Sequence, residues 1–201
     1  MLRSVRTNLL ILFKKLQRYF YTLLYLKPHQ IYLRLSFNYI KQRVVFLEHP
    51  KLASPKSEWK ETLIKKNIYS NGAFTFLNET HHFNEIEWNS KNISKLWMYN
   101  LHYFDYLLLN KENNFSDQAL INNWISQNST YSIGWDSYPT SLRIVNWIKF
   151  YLGGNTLDKN FLDSLYTQAN WLSKRIEYHI EGNHLFANGK ALIFAGVFFN
   201  S

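Results

Sequence analysis

Four polar residues, Glu181, Asn183, His184 and Asn188, interrupt an apolar run that otherwise extends to Phe199. Burying such groups without partners costs several kcal/mol, so a bound polar ligand is one candidate for their compensation. An asparagine at a helix start is ordinarily an N-cap, and that reading stands beside the functional one for Asn183. His184 follows it into the first turn, and Asn188 lies four residues further on, on the same face as His184. An amide and an imidazole at the positive end of a helix dipole form a site suited to a carboxylate.

A second group lies on the helix expected after Pro139. Leu142, Ile144 or Val145, Ile148 and Leu152 mark its apolar face, while Arg143, Asn146, Trp147 and Phe150 recur at i, i+3, i+4 and i+7 on another. A guanidinium pairs with a carboxylate or sulfate, and an aromatic ring covers the apolar face of a sugar. The plainer reading is a surface arginine beside two core aromatics. In the loop before it, Gly134 and Pro139 bound Trp135 and Tyr138, which are expected to be exposed, as binding residues on loops are. Over residues 96–109, Tyr99, His102, Tyr103 and Tyr106 gather on the side away from Trp97, Leu101 and Leu108. Such a face exchanges protons and stacks on a ring, although a histidine on a half-buried helix also serves purely structural ends.

Other chemistries lack residues to carry them. There is no cysteine, which removes thiol catalysis, disulfide scaffolds and Cys-ligated zinc. No H-E-x-x-H, Walker A or G-x-S-x-G pattern occurs, and His81 and His82 sit in an expected strand without further ligands at metal spacing. No metal or cofactor is therefore expected. Basic residues are not interleaved with aromatics in the manner of nucleic-acid-binding modules, so no nucleic-acid partner is expected either.

Three blocks together carry a family resemblance: Leu96-Trp-Met-Tyr-Asn-Leu-His-Tyr-Phe-Asp-Tyr-Leu107, Trp135-Asp-Ser-Tyr-Pro-Thr-Ser-Leu-Arg-Ile-Val-Asn-Trp147, and Glu177-Tyr-His-Ile-Glu-Gly-Asn-His-Leu-Phe-Ala-Asn-Gly-Lys-Ala-Leu192. With them the chain resembles the N-terminal helical domain of the heparinase II/III-like polysaccharide lyases, over most of its length from about residue 28. The resemblance implies an incomplete (α/α) toroid followed by a β-sandwich domain, and β-elimination at a uronic acid of an acidic polysaccharide. It gives Asn183, with His184, the task of neutralising the uronate carboxylate while C5 loses its proton, and places His102, Tyr103, Trp135, Tyr138, Arg143 and Asn188 in the substrate groove. The tyrosine and the further histidine that serve such enzymes as acid and base would fall after Ser201. The expectation is therefore of a C-terminally truncated chain without significant lyase activity. A non-catalytic glycan-binding or scaffold protein is the alternative.

The elements that must position these groups are mainly helical. With 46% hydrophobic and 18% aromatic residues, four Pro and seven Gly in 201, the chain is expected to fold as a helix-rich globular protein. Residues 1–47 form a basic amphipathic arm, residues 48–92 a connector with a small β-hairpin near 73–88, and residues 93–201 a stack of helical hairpins forming the partial toroid. Helices are expected near 28–46, 119–126, 139–152 and 158–180, and from Asn183 onward.

The net charge of +9 is concentrated in the arm. Nine of the 23 Lys and Arg lie before residue 48, with no acid among them, and beyond it 14 bases face 14 acids. In the arm Leu2, Val5, Leu9, Leu12, Leu16, Tyr19, Phe20 and Leu23 recur at helical spacing. Such a helix either packs with its basic back in solvent or makes peripheral contact with an anionic membrane surface. Leu9 to Phe13 is too short an apolar run to span a bilayer, and Lys14 and Lys15 interrupt any signal-peptide core. The N-terminus thus points to a cytoplasmic or membrane-peripheral protein, and the family resemblance to an exported one.

Overall fold

Apolar residues spaced three and four apart produce seven α-helices among the described residues of the computed structural model. Those residues are 2–39, 43–54, 59–60, 69–70, 72–108, 117–128, 131–155 and 158–200. The helices are α1 (Leu2–Tyr25), α2 (Pro28–Tyr39), α3 (Lys95–Tyr103), α4 (Asp117–Gln127), α5 (Ser137–Leu152), α6 (Lys159–Ser173) and α7 (Gly182–Phe199). A small antiparallel sheet, ordered β1 (Tyr69–Ser70), β2 (Ala73–Phe76), β3 (Glu79–His82), accompanies them. The protein is therefore mainly helical, as its sequence implies. The sequence offers Ser116 or Asp117 as a cap for the helix expected at 119–126 and a helix break at 110–114; Ser116 and that break lie outside the described residues.

The chain divides into two compact units. In the first, residues 1–41 and 178–181, the segment after α6 lies on α2: the His179 ring is 4.4 Å from that of Phe37, and His29 Nε2 is 3.3 Å from Glu181 Oε1. The second comprises residues 42–177 and 182–201.

In the second unit Leu77 and Asn78, both in the left-handed region, join β2 to β3 in a two-residue turn matched to strand twist. The period of two along β2 sends Phe74 and Phe76 into the core. There Phe76 meets Trp97 of α3 and Phe74 meets Tyr106, so sheet and helices share one core. The strand ends at His82 rather than near 88. Ile86 and Trp88 beyond it are nonetheless buried, and the Trp88 ring stacks on Phe104 at 5.3 Å.

Side-chain contacts fix the helix directions. Ser137 Oγ donates to the carbonyl of Arg175, Arg143 Nε to Gln168 Oε1, and Trp147 packs on Phe161, so α5 and α6 are antiparallel. Tyr138 meets His184, Asn188 reaches Ser141, and Tyr151 meets Phe198, so α5 and α7 are parallel. Tyr99 bonds Asp136 and Asn146 donates to the carbonyl of Tyr103, which makes α3 parallel to α5 as well. The amino-terminal ends of α3, α5 and α7 consequently gather at one end of the unit.

Three helices end sooner than their sequence periodicity suggests. α2, expected to reach residue 46, ends at Tyr39, and residues 43–46 are not helical. α6 stops at Ser173 rather than Ile180. The chain after it is taken over by its neighbours: Ser137 binds the carbonyl of Arg175, and Asn188 Oδ1 accepts the Glu177 N–H at 2.8 Å. α3 ends because Phe104 adopts the left-handed conformation (φ 57°) and a 3₁₀ turn, Asp105–Leu108, follows.

Candidate functional site

Where α7 begins, Glu181 (φ 61°) and Gly182 (φ 56°) turn the chain through two successive left-handed residues. Glycine adopts this conformation without a Cβ penalty. The helix starts at Gly182, one residue before its expected start, so Asn183 lies in the first turn and is exposed. His184 comes next and its side chain is 36% exposed. Its Nδ1 lies 3.1 Å from Glu177 Oε2 and its ring 4.3 Å from that of Tyr138. Tyr138 in turn meets Tyr103 edge to face at 6.0 Å. Three half-buried rings from three parallel helices thus form a row, and Asn183 adjoins its His184 end along the chain.

The carboxylate that orients His184 is itself nearly enclosed, at 7% exposure. Burial raises the Glu177 pKa above the ordinary carboxyl value, against the lowering effect of hydrogen bonds from His184 and Asn188. Asn188, fully buried, donates to Ser141 Oγ at 2.8 Å and to Glu177 Oε2 at 3.4 Å while accepting the Glu177 N–H. It holds the carboxylate that holds the histidine, and it does not face a ligand. With Nδ1–H donated to Glu177, His184 Nε2 has no partner among the described residues. That nitrogen donates when the ring is charged and accepts when it is neutral.

A second carboxylate lies close by. Asp136 immediately precedes α5 and receives the hydroxyls of Tyr99 and, at 2.5 Å, Tyr131, together with Lys95 Nζ at 2.9 Å. Burial, then these acceptor bonds, raise the pKa of both phenols, which stay protonated as donors. Burial and the neighbouring Tyr138 raise that of Tyr103 as well. Sequence periodicity did not single out Glu177, Asp136 or Tyr131 as site residues. A helical wheel cannot show them, because each lies between helices or at a helix boundary.

Three more residues expected in a substrate groove are enclosed instead, as Asn188 is. Arg143 is 0% exposed: Nε donates to Gln168 Oε1 at 2.7 Å, Nη1 to the His102 carbonyl at 3.3 Å, and the guanidinium lies 3.9 Å from the Trp124 ring centroid. α5 is flanked by α3, α6 and α7, so its second face is core as well. His102, also 0% exposed, donates Nε2–H to the Trp88 carbonyl and accepts Trp124 Nε1–H at Nδ1. Burial, with the Arg143 charge beside it, pushes its pKa down to about 3, so the ring is neutral. It does not sit among phenols: the left-handed turn at Phe104 sends Tyr106 inward, where its hydroxyl donates to the Leu101 carbonyl. Trp135 is 1% exposed and donates Nε1–H to the Asn128 carbonyl. Of the residues named from sequence, the structure brings Tyr103, Tyr138 and His184 together, with Asn188 buried behind Glu177, while Asn183 is exposed and adjoins His184 along the chain.

Among the described residues no group of three His, Cys, Asp or Glu is placed to hold a metal ion. No family model matches the chain, and neither a curated protein nor a solved structure does so.

Proposed function

We propose that this chain carries the uronate-binding face of a polysaccharide lyase that cleaves an acidic polysaccharide by β-elimination, on a helical framework of the incomplete (α/α) toroid type. Supporting the framework is the alternation of helices: α3, α5 and α7 are parallel and touch in series, while α4 and α6 touch each other. Stacked helical hairpins give that alternation.

One observation carries the function. The exposed Asn183 and the half-exposed His184, the latter held from behind by Glu177, lie in the first turn of α7, and His184 continues in a row with Tyr138, in the first turn of α5, and Tyr103, the last residue of α3. Helix starts favour anions, aromatic rings cover sugar faces, and amide and imidazolium N–H groups bind carboxylates. In β-elimination charge builds on the uronate carboxylate as C5 loses its proton. Donors already aimed at that group lower the barrier without reorganising. Asn183 donates from its amide, and His184, with Nδ1–H on Glu177, donates from Nε2–H in its charged form.

Calorimetric titration with an oligouronate and with the same oligosaccharide reduced at its carboxyl groups tests the reading. Hydrogen bonds to a charged group predict about tenfold or more tighter binding of the acidic form. Equal affinity for the two, or no binding of either, would contradict it.

A further inference from the structure

α1 runs 24 residues and leaves its large apolar side chains in solvent: Leu12, Phe13, Leu16, Phe20, Leu23 and Leu24 are each at least half exposed. At 3.6 residues per turn these six fall within one arc, and Lys14, Lys15 and Arg18, with the exposed Ile11 among them, fall on the opposite side. An apolar arc of this size on a water-facing helix requires a cover. The sequence indicates which kind. The first 47 residues hold nine bases and no acid.

A second copy of α1 could cover the apolar arc, but it would leave the basic backs of both helices facing outward, with no acid in the arm to pair them. A nucleic acid would neutralise the bases and leave the leucines and phenylalanines in water. A surface of anionic lipid satisfies both faces at once, taking the apolar arc into the acyl boundary while Lys and Arg meet the headgroups. No helix among the described residues is long and apolar enough to cross a membrane, and an interfacial helix does not need to be. We infer that α1 is an in-plane membrane anchor that docks on an anionic lipid surface. Docking by α1 stands or falls independently of whether the Asn183 surface takes a uronate.

Co-sedimentation of the full chain with vesicles tests this, using phosphatidylcholine alone and phosphatidylcholine mixed with phosphatidylglycerol. Binding is expected to the mixed vesicles, falling roughly fivefold for each basic residue neutralised and weakening with added salt. Phe20→Glu on the apolar arc and the triple variant Lys14→Gln, Lys15→Gln, Arg18→Gln are each expected to abolish or sharply reduce it. Both change solvent-exposed positions, and an unchanged thermal transition verifies the fold. Equal binding to the two vesicle types, or wild-type binding by either variant, overturns the inference. So does absence of vesicle binding together with a dimer, seen by sedimentation velocity, that Phe20→Glu dissociates.

Discussion

Asn188 and Glu177 are joined twice: the amide oxygen takes the Glu177 N–H at 2.8 Å, and the amide nitrogen reaches Glu177 Oε2 at 3.4 Å. A third bond, from the same nitrogen to Ser141 Oγ, ties the pair to α5. One buried side chain thereby anchors the chain after α6, sets where Glu177 points and, through Glu177, how His184 stands.

Replacing Asn188 by alanine strands the Glu177 N–H in the interior and releases the carboxylate. The expected loss is about 2–3 kcal/mol of stability, read as a lower denaturant midpoint. Asn188→Asp restores the acceptor but sets a second carboxylate against Glu177, so it is expected to do no better. Full stability in Asn188→Ala would mean that the bridge contributes nothing.

Glu177 gives the protein a defined pH dependence. Its pKa is raised in the folded state, chiefly by burial, so the native protein keeps this proton to higher pH than the unfolded chain. Its contribution to stability therefore falls as pH rises from the unfolded value of 4.5 through the raised native value, and is level above it. Urea midpoints measured across that window are expected to decline less in Glu177→Gln than in the wild type. Parallel curves would show that Glu177 is not the group responsible.

Gly134 lies against His102 so closely that an added Cβ would stand 2.7 Å from Cε1 and Nδ1 of the ring. The ring cannot retreat, because Trp88 and Trp124 hold it from both nitrogens. Gly134→Ala is expected to cost about 1–3 kcal/mol, as overpacking does. A thermal melt that matches the wild type would contradict this placement of His102.

For Arg143, the ring of Trp124 and the acceptor Gln168 take the place of a carboxylate partner. Lysine carries a compact, strongly hydrated charge without a planar fork, so Arg143→Lys is expected to be more destabilising than Arg143→Met, by about 1 kcal/mol or more. The opposite order would mean that water or a ligand reaches the site. Uronate binding is expected to persist in Arg143→Met.

Helices were legible wherever apolar residues kept their spacing, as in α5 and α7, and the hairpin was legible from the alternation in β2. Their ends were not. α6 carries no Gly or Pro near Ser173, and bonds from Ser137 and Asn188 hold the chain that follows it. Phe104 is an unusual residue for a left-handed cap, and its turn hid the inward course of Tyr106. The same gap explains the misplaced groove residues. A helical wheel shows that Arg143 and Ile148 lie on different faces, but not that α5 is covered on both. The place of Asn183 and His184 at the start of α7 was legible because a polar pair opening an apolar run marks a helix start without its neighbours. Glu177, which orients His184, stands seven residues from it in sequence, across an irregular turn.

The claim on which the functional account rests is that Asn183 holds a uronate carboxylate, and a binding cycle tests it most directly. Wild type and Asn183→Ala are each titrated with an oligouronate and with its carboxyl-reduced counterpart. Asn183 is exposed in the first turn of α7, so the substitution leaves the core intact. The account predicts a loss of about tenfold or more for the acidic oligosaccharide and little change for the reduced one. An equal effect on both ligands, or none on either, would contradict it.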